Sequence, residues 1–173
     1  MSKNIKKLII IVGIVIILCV TLIIWFLQYV SYEMRTLPEE AEYFFNENSD
    51  KLNGFVNICF DNSINYIATQ ENIEQPDNKP YNVGGYYVYM DYKISHELEK
   101  DLSNILGLLR RNNISSIHVD TNNQTVTMFM QRFLACTAIK YMIEAQSIEK
   151  IKDDYYTNNA KYIDQNWVII TLE

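Results

Sequence analysis

Residues 8–30 read LIIIVGIVIILCVTLIIWFLQYV, without one charged side chain. No other feature constrains the chain as strongly. A helix needs about 20 apolar residues to cross a bilayer, and this run has that length. It is too long for the apolar core of a signal peptide, and no Ala-x-Ala-like cleavage site follows it. The expectation is a retained single-pass signal-anchor. Lys3, Lys6 and Lys7 stand before the run, whereas Glu33, Glu39, Glu40 and Glu42 outnumber Arg35 just beyond it. Lys and Arg flanking a span favour the cytoplasm. Residues 1–7 are therefore expected inside the cell, 8–30 in the cell membrane and 31–173 outside as one domain. Trp25, Tyr29 and Tyr32 lie at the outer end, where amphipathic rings favour the interface. Gly13 has no small partner four residues away, so no Gly-x-x-x-Gly dimer motif is present. Cys19 follows Ile17 and Leu18 and lies in mid-run, which suits an apolar filler and not a lipidated cysteine.

The chain has 15 Lys and Arg and 21 Asp and Glu. Three lysines precede the run and every acid follows it, so the outer part carries 12 positive and 21 negative side chains, a net of −9. Such a surface disfavours nucleic acid and anionic headgroups. Because the acids are dispersed, they read as a solvated face and not as a cation trap. The chain is rich in Asn, Ile, Tyr and Lys and has only five Gly and three Pro. That composition is typical of AT-rich bacterial genomes, where the sequons at Asn113 and Asn123 carry little meaning. Cys59 and Cys136 both sit among apolar residues. An oxidising compartment would permit a disulfide between them, while two separate buried thiols would satisfy the same pattern.

Thr36-Leu-Pro-Glu39 has the form of a capping box with Pro38 early in a helix. Ala41, Phe44, Phe45, Leu52, Phe55, Val56, Cys59, Phe60, Ile64 and Ile67 then recur at helical spacing. The spacing predicts one helix over 38–69, or two separated at Asn53-Gly54. Residues 70–83 read as a loop. After Gly84-Gly85, the alternation in YYVYMDYKI predicts a half-buried strand. Tyr86, Val88, Met90, Tyr92 and Ile94 would face inward, and Tyr87, Tyr89, Asp91 and Lys93 outward. Ser95 can cap a second helix with Leu98, Leu102, Ile105, Leu106 and Leu109 on its apolar side and Asn112-Asn113 at its end. A hairpin follows from ISSIHVD through the turn 121–124 to TVTMFMQ, then a strand over 137–144 and a second hairpin across 160–163 and 167–172. The order predicts an α+β domain with two or three helices on one face of a mainly antiparallel sheet.

Candidate chemistry is sparse. His118 and Asp120 lie two apart on a predicted strand and project from one face. Together they could bind a metal or act as an acid/base pair. No third ligand is visible nearby, and a solvated sheet face explains them as well. His96 starts a helix beside Glu97, which suits an exposed side chain. Ser147-Ile-Glu-Lys150 has Ser-x-x-Lys spacing, yet the companion Lys-Thr-Gly and Ser-Asp-Asn segments are absent, so it reads as a polar connector. Asp120-Thr-Asn-Asn-Gln124 begins like a calcium loop but has Thr125 where Gly is needed and Gln131 where an acid is needed. Tyr87 and Tyr89, flanked by Asp91 and Lys93, have the aromatic and polar mixture of a protein interface. The expected function is therefore a membrane-tethered extracytoplasmic binding or accessory domain without enzymatic activity or cofactor. Its partner would be a protein at the cell envelope, as for an immunity-like factor. A small hydrolase or metal-dependent enzyme using His118 and Asp120 is the alternative, and a structural subunit of a membrane complex a third reading.

Overall fold

A computed structural model describes residues 3–70, 80–90, 92–132, 135–155, 157 and 159–172, with side chains from residue 10 onward. The element order is α1 (Lys3–Asp61), β1 (Ile64–Ala68), β2 (Tyr81–Val83), β3 (Tyr86–Met90), α2 (His96–Arg111), β4 (Ile114–Asp120), β5 (Thr125–Arg132), β6 (Ala135–Met142), α3 (Ile148–Tyr155), β7 (Ala160–Tyr162) and β8 (Trp167–Leu172). The strands form one sheet in the order β2-β3-β1-β4-β5-β6-β8-β7. Every neighbouring pair is antiparallel. This is the α+β class expected from the element order.

α1 departs most from expectation. The apolar run and the first helix of the domain are one helix of 59 residues, about 90 Å long at 1.5 Å per residue. No cap forms at Thr36. Its hydroxyl instead donates to the Tyr32 carbonyl at 3.1 Å, and Pro38 lies in the helix interior. Nor does the helix break at Asn53-Gly54. An interior Pro costs about 3 kcal/mol and an interior Gly about 1 kcal/mol. Against this, Leu37, Phe44, Phe45, Leu52, Phe55 and Val56 are almost fully buried, each contributing about 1.5–3 kcal/mol. Packing of that stripe outweighs both local penalties. From Ile10 to Tyr32 nearly every side chain is exposed. By length and composition this part of the helix is apolar enough to cross a membrane.

The far end of α1 also corrects the expectation. The helix stops at Asp61, and Ser63 turns the chain at φ 49°. Ile64 and Ile67 therefore belong to a strand, β1, in the middle of the sheet. Residues 81–83, read as loop, form the edge strand β2. Gly84 and Gly85 take φ of 59° and 83°, as a two-residue hairpin turn requires at both centres. The 8-residue α3, expected as a connector, is capped by Ser147, whose Oγ accepts from the Lys150 N–H at 3.2 Å. That role accounts for the Ser-x-x-Lys pair. α2 begins as expected, with Ser95 Oγ accepting from Leu98 N–H at 3.1 Å and Leu102, Leu106 and Leu109 buried.

The three helices are not on one face. α1 and α2 cover the face bearing Ile67, Val88, Ile117, Met128, Ile139 and Ile169. α3 buries Ile151 against Ala138, Met142, Val168 and Ile170, which alternate with those residues along β6 and β8 and so point to the opposite face. Trp167 ties α1 to the sheet. Its Nε1 donates to Asn53 Oδ1 at 2.9 Å, and its ring packs on Phe45 and Tyr141. Arg132 at the end of β5 closes on both carboxylate oxygens of Glu40, at 3.0 and 2.7 Å, and lies 3.5 Å from Glu33. Cys19, Cys59 and Cys136 are free thiols. Cys59 is buried on α1 against the sheet, and Cys136 is half-buried on β6.

Candidate functional site

α3 packs toward the β5–β6–β8–β7 end of its face, where Phe129 of β5 joins its cluster. Among the described residues no helix covers the part formed by β3, β1 and β4. The register places a row of rings there. Tyr89 stands opposite Tyr66, and Tyr66 opposite His118. Phe129 is paired with Ser116, one step along the same face. The Tyr66 and Tyr89 ring centroids are 5.7 Å apart. His118 presents edge-on geometry to Tyr66 at 4.7 Å and to Phe129 at 5.3 Å. Such tilted and edge-to-face pairs are the favourable arrangements of aromatic rings. At the border with α3, Lys140 Nζ lies 5.1 Å over the Tyr155 ring, and the Tyr155 hydroxyl is 3.4 Å from Thr127 Oγ1. Beside Tyr66 opens a polar hollow of about 360 Å³ lined by Thr69, Gln70, Ser115, Ser116 and Gln131.

The proposed tyrosine pair divides. Tyr87 and Tyr89 do share the face opposite the buried Tyr86, Val88 and Met90. Tyr87 is half-buried, but Tyr89 is only 1% exposed. The outward exposure expected for Tyr89 is therefore wrong. Asp91 lies outside the described residues. Lys93 is exposed but follows the end of β3 at Met90, so it does not continue the row. Tyr92, expected inside, is 67% exposed for the same reason.

His118 and Asp120 both lie on β4. Their side chains are engaged separately. Asp120 closes the hairpin turn: Oδ1 accepts the N–H of Asn122 and of Asn123 at 3.0 Å, and Oδ2 accepts from Asn123 Nδ2 at 2.7 Å. Hydrogen bonds from Asn123 foremost hold its carboxyl below the usual aspartate range. Crowding by the neighbouring rings lowers the His118 pKa, which favours a neutral imidazole. Among the described residues no group of three His, Cys, Asp or Glu side chains is placed to hold a metal ion. His96 is exposed at the start of α2.

Sequence reasoning missed Tyr66 and Phe129. Tyr66 was absorbed into the long helical stripe, although INYIA after Asp61-Asn-Ser has strand-like β-branched and aromatic content. Phe129 shares a strand with His118's cross-strand partner Thr127, and only the register brings the two rings together. The chain matches no protein-family model, no curated protein and no solved structure.

Proposed function

We propose that the chain is a membrane-tethered extracytoplasmic binding domain, held by residues 8–30 and engaging a protein partner of the cell envelope through the sheet face that bears Tyr66, Tyr87 and His118. The carrying observation is the row Tyr66, His118 and Phe129, with Tyr87 beside it, on a sheet face that α3 covers only at the end beyond Phe129. Ring-rich surfaces with a polar margin suit protein recognition, because aromatic side chains offer large area at low entropic cost. The lysines before the apolar run support an N-terminus in the cytoplasm and the domain outside.

The test uses the full chain in its native membrane, with a photo-crosslinking amino acid at Tyr66 or Tyr87. A discrete adduct from these positions, and none from Tyr43 on the exposed side of α1, is expected. Adducts from Tyr43 alone would move the binding surface off the sheet. Protease added to intact protoplasts should remove the domain, and full protection would reverse the orientation.

A further inference from the structure

The hollow beside Tyr66 arises where small residues pair between large ones. Across β3, β1, β4 and β5 the register sets Tyr87 opposite Ala68, Ala68 opposite Ser116 and Ser116 opposite Phe129. The side chains of such a row share one sheet face. Rings stand at the ends of the row and small side chains in its middle, so the face dips over Ala68 and Ser116. Tyr66, two residues before Ala68 and on the same face, supplies an aromatic wall of the dip. Gln131, two residues beyond Phe129 on β5, closes it from another side.

Hydrogen bonds fix the rim. The Thr69 N–H and hydroxyl both donate to the Ser115 carbonyl, at 3.0 and 3.3 Å, and the Ser115 hydroxyl donates to the Phe129 carbonyl at 3.2 Å. Both hydroxyl oxygens keep lone pairs for a further donor. Among the described residues the side chains of Gln70, Ser116 and Gln131 form no hydrogen bond, and both glutamines are exposed. No charged side chain lines the hollow among the described residues. An ion entering it would lose water and gain no counter-charge. Hydroxyl and carboxamide groups both donate and accept, which suits an uncharged ligand that does the same around its surface. A peptide added as a strand needs a free backbone edge, but β1 and β4, which carry Ala68 and Ser116, are paired on both sides.

We propose that the hollow binds a sugar unit of a neutral glycan. The Tyr66 ring packs against the C–H groups of the sugar as an apolar wall, while the Gln70, Ser116 and Gln131 side chains bond its hydroxyls. The volume of about 360 Å³ lies in the range of small-molecule sites. The hollow shares Tyr66 with the surface proposed for a protein partner and does not rest on that reading.

The purified full chain in detergent micelles is mixed with the trimer of N-acetylglucosamine or with maltotriose, both neutral, and saturation transfer from protein to sugar is measured by NMR. At least one of the two should receive saturation, strongest at its ring C–H protons. Q70A/Q131A should weaken that binding about tenfold through loss of two neutral hydrogen bonds. S116L, which fills the dip, should abolish it. Q165A removes an exposed amide between β7 and β8 and should leave binding unchanged. A sulfated trisaccharide should not compete. If S116L does not fold, Q70A/Q131A decides, since it alters only exposed side chains. No transfer to either sugar, undiminished binding in Q70A/Q131A, equal weakening in Q165A or competition by the sulfated sugar overturns the proposal. No partner protein is present in this experiment, so its failure leaves the crosslinking prediction standing. Absence of adducts at Tyr66 in cells would likewise leave the sugar result standing.

Discussion

Tyr87 and Tyr89 are two positions apart on one strand face, yet their surroundings differ. Tyr89 is almost fully buried beside Tyr66, whereas Tyr87 is half-buried. Truncating a buried aromatic side chain costs about 3–5 kcal/mol. Tyr89→Ala should therefore lower unfolding stability in urea by about 3 kcal/mol, and Tyr87→Ala by less than about 1 kcal/mol. Equal losses would show that both rings are structural. His118 makes a second case. Its pKa is lowered in the fold by burial among rings, so the unfolded chain binds its proton more readily. Stability then rises with pH from the folded value up to the ordinary 6.5 and is level above it. Below about pH 6.5 the protein should lose stability that the variant His118→Phe, which keeps a ring and removes the titration, does not lose. Parallel pH profiles for the two proteins would contradict this reading. The Cys59 and Cys136 thiols are both pushed up by burial, which disfavours the thiolate each would need in order to react.

At the scale of elements, α1 and β8 meet through a hydrogen bond inside an aromatic contact. Trp167→Phe removes the Nε1 donor and Asn53→Ala its acceptor. Each should cost about 1 kcal/mol, and the double variant should cost little more than either alone. Additive losses in denaturant titrations would show that the bond contributes nothing. Elements with strong local signals could be read from sequence. α2 has its Ser95 cap, its leucine stripe and its terminal asparagines, and the β4–β5 hairpin has a polar turn between alternating strands. α1 could not be read as one piece, because its capping box and its Asn-Gly are genuine local stop signals. Burial of the stripe from Leu37 to Cys59 overrides them, and that energy appears only once the sheet is present. β1 was lost for a related reason, since Ile64 and Ile67 fit a spacing of three as well as a strand. The candidate face was half legible: periodicity put Tyr87 and His118 on sheet faces, but neither pairing register nor the reach of α3 is written in local sequence.

On the scale of the whole molecule, the apolar segment and the domain are one uninterrupted helix, and this has a consequence for rotation. Successive residues of an α-helix turn by about 100° around its axis. With residues 8–30 as the proposed anchor, the bearing of the aromatic sheet face within the membrane plane would be geared to the number of residues between Val30 and Glu33, the first buried residue of the domain segment. One alanine inserted there should swing the whole domain by about 100°, while seven, close to two full turns, should nearly restore its heading at the cost of about 10 Å in height. If the partner is itself fixed in the same bilayer, crosslinking from Tyr66 should fall and recover with insertion length in a helical period. A smooth decline with length would mean that the junction swivels, and then the compass direction of the domain would be set by its partner.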